Sequence, residues 1–110
     1  MGQAKPGVLR GALDLLILRS LLNAPLHGYA IAAQIEKVSQ DALRVEDGSL
    51  YPALHRIEQA GWIKSEWRMS ETKRRARYYR LTPAGRRQLA EEESNWRRVT
   101  QGVDRVLKFA

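Results

Sequence analysis

Four cations crowd into five consecutive positions of this chain, Lys73, Arg74, Arg75 and Arg77. Ammonium and guanidinium groups packed this closely neutralise phosphates and release the counterions condensed on a nucleic acid, so the resulting affinity falls as salt rises. The plainer alternative for a charge run is a solvated hairpin tip. The distribution of charge favours the first reading. The chain of 110 residues carries a net charge of +7, yet Met1 to Gly61 is neutral, and +5 of the excess lies between Trp62 and Thr82. A charge serving solubility alone would be spread more evenly. Arg80 is ambiguous, because it also suits the outer face of a strand.

A second group precedes the cations. Ser49, Tyr51, Pro52, His55, Arg56 and Gln59 fall on the side of a helical stretch opposite Leu50, Leu54 and Ile57. Hydroxyls and free N–H groups at a helix start suit a phosphate oxygen. Arg56 suits either a guanine edge or a phosphate, and spacing does not separate the two. Tyr51 has a second reading, with its ring packed on the hairpin and only its hydroxyl outside. Tyr29 reads as a backbone contact, with core packing as its rival.

Other chemistry finds little support. His55 has no cysteine and no nearby second histidine, so a metal site is not expected, nor is any cofactor. His27 and His55 share no evident cleft with a carboxylate, which argues against general acid–base catalysis and against an enzyme. Glu91-Glu92-Glu93 reads as acids in the N-terminal half of a helix, where the dipole favours them. The absence of cysteine rules out disulfides and thiolate metal sites and fits a reducing, cytoplasmic setting. The longest apolar run, Leu15 to Leu18, is too short to span a bilayer, and Met1 to Arg10 lacks an apolar leader core.

These groups need elements to position them. Gly11 to Asn23 carries leucines and isoleucine on most faces, as a central helix does, and Pro25 follows its end. His27-Gly28 reads as a turn before a second helix over Tyr29 to Ser39, with Ile31, Ile35 and Val38 inward. A third helix begins near Asp47-Gly48-Ser49, with Ser49 as its N-cap, Pro52 in its first turn and Gly61 as its stop. Trp62 to Met69 alternates Ile63, Trp67 and Met69 with charged residues, the pattern of a half-buried strand, and Trp62 and Trp67 are expected to pack in the core or hairpin. Arg77 to Leu81 is the second strand, and a polar loop, Ser70 to Ala76, joins the two. Thr82-Pro83 opens a last helix in the favoured cap-then-proline order.

Along that last helix Trp96, Val99, Val103, Val106 and Ala110 follow at spacings of three and four, with Leu89 one heptad earlier and Glu92 interrupting the pattern between them. Gly102 weakens a helix interior by about 1 kcal/mol, so this helix needs a partner surface. Trp96 has two readings. It packs on the first helix, as an aromatic at a seam position usually does, or it faces its symmetry mate across an apolar gap able to sandwich a planar aromatic ligand. The fold class expected is mainly α with a small β-hairpin: a winged helix-turn-helix over 1–82 and a long C-terminal dimerisation helix over 83–110, together one structural unit.

HGYAI at His27 to Ile31, GSLYPALHRIEQAGWI at Gly48 to Ile63 and RYYRLTPAG at Arg77 to Gly85 give the chain a familiar cast. From about Gly11 to Leu107 it resembles the PadR family of bacterial transcriptional regulators, in the short branch with a single dimerising C-terminal helix. The resemblance implies a third helix in the DNA major groove, with Tyr29, Ser49, Tyr51, Pro52, His55 and Arg56 at the DNA surface. It also implies that Lys73, Arg74, Arg75 and Arg77 form the wing, and that Leu89, Trp96, Val99, Val103 and Val106 pair two chains. In the multidrug-binding branch, a tryptophan matching Trp96 stacks on flat aromatic effectors. The sequence departs from the pattern where many members carry a glycine pair before the basic wing residues; Thr72-Lys73 stands there instead. The function expected is a homodimeric, ligand-responsive repressor of a near-palindromic operator in double-stranded DNA. Its rivals are a winged helix devoted to protein contact and, further off, a small enzyme.

Overall fold

A computed structural model describes residues 6–109, with side chains from residue 12 onward; Ala110, the last seam position, lies outside the described residues. Seven elements follow in the order α1 (Pro6–Ser20), β1 (Leu26–His27), α2 (Gly28–Val38), α3 (Asp47–Gln59), β2 (Ile63–Met69), β3 (Arg75–Leu81) and α4 (Pro83–Lys108). The three strands form one antiparallel sheet in the order β1-β3-β2. The mainly helical fold with a winged helix-turn-helix is therefore present, with one strand more than the sequence suggested. The turn expected at His27-Gly28 is divided, His27 closing β1 and Gly28 opening α2. The two residues of β1 become a strand because β3 offers Tyr78 and Tyr79 as pairing partners.

The helices form because each has an apolar stripe to bury, and the stripes meet in one core. Leu13, Ile17 and Leu18 of α1 lie against Ile31 and Ile35 of α2 and Leu50, Leu54 and Ile57 of α3, with Ile63 of β2 closing one side. Each fully buried side chain of this size contributes roughly 1.5–3 kcal/mol by leaving water. The first helix begins earlier than expected, at Pro6, and ends at Ser20, after which Leu21 and Leu22 donate to carbonyls only three residues back. Val38, expected inward, is exposed, because α2 ends there and no described element lies over it.

Two local expectations fail at α3. Its N-cap is Glu46, which makes no side-chain capping bond, so Ser49 sits inside the first turn. The backbone N–H groups of Ser49 and Leu50 both donate to the Glu46 carbonyl, so the helix starts at Asp47 as expected while its cap lies three residues before Ser49. Pro52 is consequently the sixth residue of the helix rather than part of its first turn. Its missing N–H leaves the Gly48 carbonyl without its helical partner, and because both residues are exposed that carbonyl is open to solvent. Gly61, with φ +84°, ends the helix as expected.

The start of α4 is locked to the sheet. Thr82 caps it, accepting from the Gly85 N–H at 3.0 Å while donating to the Gly61 carbonyl at 2.7 Å. The Thr82 N–H donates to the Trp62 carbonyl, and Gly85 lies so close to that carbonyl that a Cβ there would stand 2.0 Å from its oxygen. Glycine is the one residue that fits this approach. From here α4 runs 26 residues, a length of about 39 Å at 1.5 Å per residue, and extends the molecule to 57 × 32 × 21 Å. Leu89, expected at a dimer seam, is buried in its own chain's core, so the uncovered stripe begins at Trp96 and continues through Val99, Val103 and Val106.

Candidate nucleic-acid interface

The sheet carries the cations away from the core. Register pairs Ile63 with Leu81, Ser65 with Tyr79, Trp67 with Arg77 and Met69 with Arg75 on one face, and Lys64 with Arg80, Glu66 with Tyr78 and Arg68 with Ala76 on the other. Near its base the first face closes on the core through Ile63 and Tyr79. Towards the tip it rises above α3, and Trp67 and Met69 are exposed there. The half-buried strand expected over Trp62 to Met69 is thus buried only at its foot. Trp62 does pack against the core.

At the tip the chain turns through Ser70, Glu71, Thr72 and Lys73. Ser70 N–H donates to the Arg74 carbonyl at 2.7 Å, Lys73 N–H to the Ser70 carbonyl at 2.9 Å, and Arg74 N–H to Ser70 Oγ at 3.3 Å. Lys73 takes φ +63°, the left-handed region that a Cβ disfavours. The departure noted in the sequence therefore falls on the position where a glycine would be least strained. Arg75, read as part of the loop, begins β3.

Between this wing and the helices lies an open groove of about 720 Å³ lined by His27, Tyr29, Tyr51, Trp67, Arg74 and Arg75 among others. Tyr29 is 77% exposed and is not part of the core. Tyr51 lies over the α2 start, where a Cβ at Gly28 would stand 2.7 Å from its hydroxyl and 2.9 Å from the ring, and shares the groove with Tyr79 of the hairpin. His27 holds that helix start, its Nδ1 accepting from the Ala30 N–H at 3.2 Å, and its ring meets Tyr78 edge-on at 5.3 Å. Tyr79 forms part of the floor, and burial pushes its phenol above the ordinary value against the opposing pull of Arg77. It stays a neutral hydroxyl.

Ser49, Pro52 and His55 are exposed on α3, on the side away from Leu50, Leu54 and Ile57. Two arginines of the expected set are already engaged. Arg56 Nη2 meets Asp14 Oδ1 of α1 at 2.5 Å. Arg77 Nε donates to Ser65 Oγ at 2.8 Å, Ser65 Oγ donates to Glu58 Oε2 at 2.7 Å, and Arg77 Nη2 stands 3.9 Å from the same carboxylate. Arg77 thereby ties the wing to α3. Sequence reasoning missed Asp14, Glu58, Gly28 and His27 as supports. Only the His27-Gly28 pair carried a visible signal, as a cap and a place of close approach. Among the described residues no three His, Cys, Asp or Glu side chains gather as metal ligands, and no helix is long and apolar enough to cross a membrane.

Comparison with known proteins agrees with this architecture. The sequence pattern of the transcriptional regulator PadR-like family matches residues 17–91. A transcriptional regulator of Mycobacterium tuberculosis is 41% identical over 83 residues, covering 76% of this chain and 74% of its own. A transcriptional regulator from Clostridium thermocellum superposes with a TM-score of 0.85 at 31% identity, over 93% of this chain and 99% of its own. A PadR family regulator from Eggerthella lenta gives a TM-score of 0.79 at 33% identity, over 94% and 88%.

Proposed function

The chain belongs to the PadR-like family of transcriptional regulators, which are regulators and not enzymes, and from that premise we propose that it binds double-stranded DNA as a homodimer. The observation that carries the reading is the juxtaposition of the cationic wing with Tyr51 of α3 and Tyr29 of α2 across one groove. An α-helix with exposed polar groups fits a major groove, and a basic hairpin beside it fits the flanking phosphates. Ser49, Tyr51, Pro52 and His55 face the bases or their sugar-phosphate edge, with Tyr29 on the backbone. Lys73, Arg74 and Arg75 neutralise phosphates. Arg56 and Arg77 join them from their ion pairs with Asp14 and Glu58, and so contribute position as much as charge.

Residues 1–82 then form the DNA-binding part and 83–110 the dimerisation helix of one structural unit. The uncovered stripe at Trp96, Val99, Val103 and Val106 supports pairing through α4, as does Gly102, whose Cβ position meets nothing in its own chain. Such a dimer sets two recognition helices about 34–36 Å apart, and so reads a near-palindromic operator. Occupying a promoter, it represses in the cytoplasm. A planar aromatic effector held at the paired Trp96 side chains would release it, to the extent that the effector prefers another dimer geometry.

A salt titration of duplex binding tests the proposal. The expected plot of log affinity against log salt is steep, and Arg74→Ala lowers its slope by about one for each wing engaged while weakening all sequences alike. A flat response would favour a winged helix that binds protein. A changed base preference at one position, with the slope intact, would move Arg74 from phosphate to base.

A further inference from the structure

Trp67 is a costly residue to leave where it is. Its indole stands 56% exposed on the groove-facing side of the wing, beyond the reach of the core. What covers it is charge. The Arg75 guanidinium carbon lies over the ring at 5.0 Å from the centroid, and that of Arg77 at 5.8 Å. The strand register produces this contact, since Trp67 pairs directly with Arg77, and Arg75 is its diagonal neighbour across β3.

The two arginines differ in what else they hold. Arg77 is fixed by Ser65 and Glu58. For Arg75, no carboxylate lies within ion-pair distance among the described residues, so the indole is the partner that orders it. An aromatic face attracts the flat side of a guanidinium and leaves the N–H donors in its plane free. A carboxylate would order the same group only by occupying those donors. The wing thus presents an arginine that is oriented yet still able to bond a phosphate.

We propose that Trp67 is a positioning residue for DNA binding, a platform that pre-orders Arg75, with Arg77 beside it, for the phosphates along the groove. The inference rests on the DNA-binding reading above. It adds the claim that part of the affinity comes from side-chain freedom lost before the encounter and not during it.

The experiment measures binding to a short mixed-sequence duplex by fluorescence anisotropy across a salt series. Trp67→Leu weakens binding about fivefold to tenfold, and the salt slope stays unchanged because every cation remains. Trp67→Tyr, which keeps an aromatic face, stays within about twofold of the wild type. Arg75→Ala lowers both affinity and slope, and in that background Trp67→Leu adds little. Arg75→Lys keeps the charge but loses the planar guanidinium over the indole, so it weakens binding at constant slope with the tryptophan intact. Wild-type affinity for that variant refutes the inference even if Trp67→Leu fails to fold. Equal binding by folded Trp67→Leu, an undiminished loss in the Arg75→Ala background, or wild-type affinity for Arg75→Lys overturns the inference while leaving the DNA-binding reading standing. Failure of the wild type itself to bind the duplex at low salt overturns both.

Discussion

Replacing Lys73 with glycine should make the protein more stable and a poorer DNA binder at once. Lys73 holds φ +63° at the wing tip, fixed there by its own bond to Ser70 and by the bonds from Ser70 and Arg74 around it. A residue with a Cβ gives up about 1–2 kcal/mol in that region. Glycine relieves this but loses about 0.5–1 kcal/mol in chain entropy on folding. The net gain is about 0.5–1 kcal/mol, which in a chain of this size raises the melting temperature by roughly 2–4 °C. The same substitution deletes one cation per wing, so the salt slope of duplex binding falls by about one for each wing engaged. Calorimetry at fixed protein concentration reads the first effect and a salt series the second. Lys73→Ala separates them: it keeps the Cβ and loses the charge, so its slope falls without the gain in stability. A melting temperature that drops or stays level in Lys73→Gly would refute the left-handed turn. A rise with an undiminished slope would instead remove Lys73 from the phosphate contacts.

Gly85→Ala drives a methyl group into the Trp62 carbonyl and, through overpacking, should cost about 3 kcal/mol, visible as a lower urea midpoint with little change in slope. Val99→Asp with Val103→Asp places carboxylates on the uncovered stripe of α4, so light scattering should report monomers that bind DNA weakly; a persistent dimer would move the interface elsewhere. Asp14→Asn removes the charge that holds Arg56, freeing a cation beside α3. Binding to mixed-sequence duplex should strengthen severalfold and its salt slope steepen, whereas weaker binding would show that Asp14 aims Arg56 at the DNA.

Helical periodicity, the Thr82 cap and charge placement are properties of neighbouring residues, and the sequence alone was enough to read them. The three helical stripes around Ile17, Ile31 and Leu54, the Thr82-Pro83 start of α4 and the gathering of cations near Lys73 all stand where local reasoning puts them. What it could not reach depends on segments far apart in the chain. Alternation along β2 names the face that Trp67 and Met69 share with Ile63, but only the height of the wing above α3 decides that the core ends before them. A two-residue strand at Leu26–His27 exists because β3 passes alongside, and Arg56 finds Asp14 across 42 residues of sequence. Leu89 belongs to the same heptad pattern as Trp96, yet one is buried in its own chain and the other is not. A repeat shows which residues point the same way; what they meet is set by the packing of the whole chain.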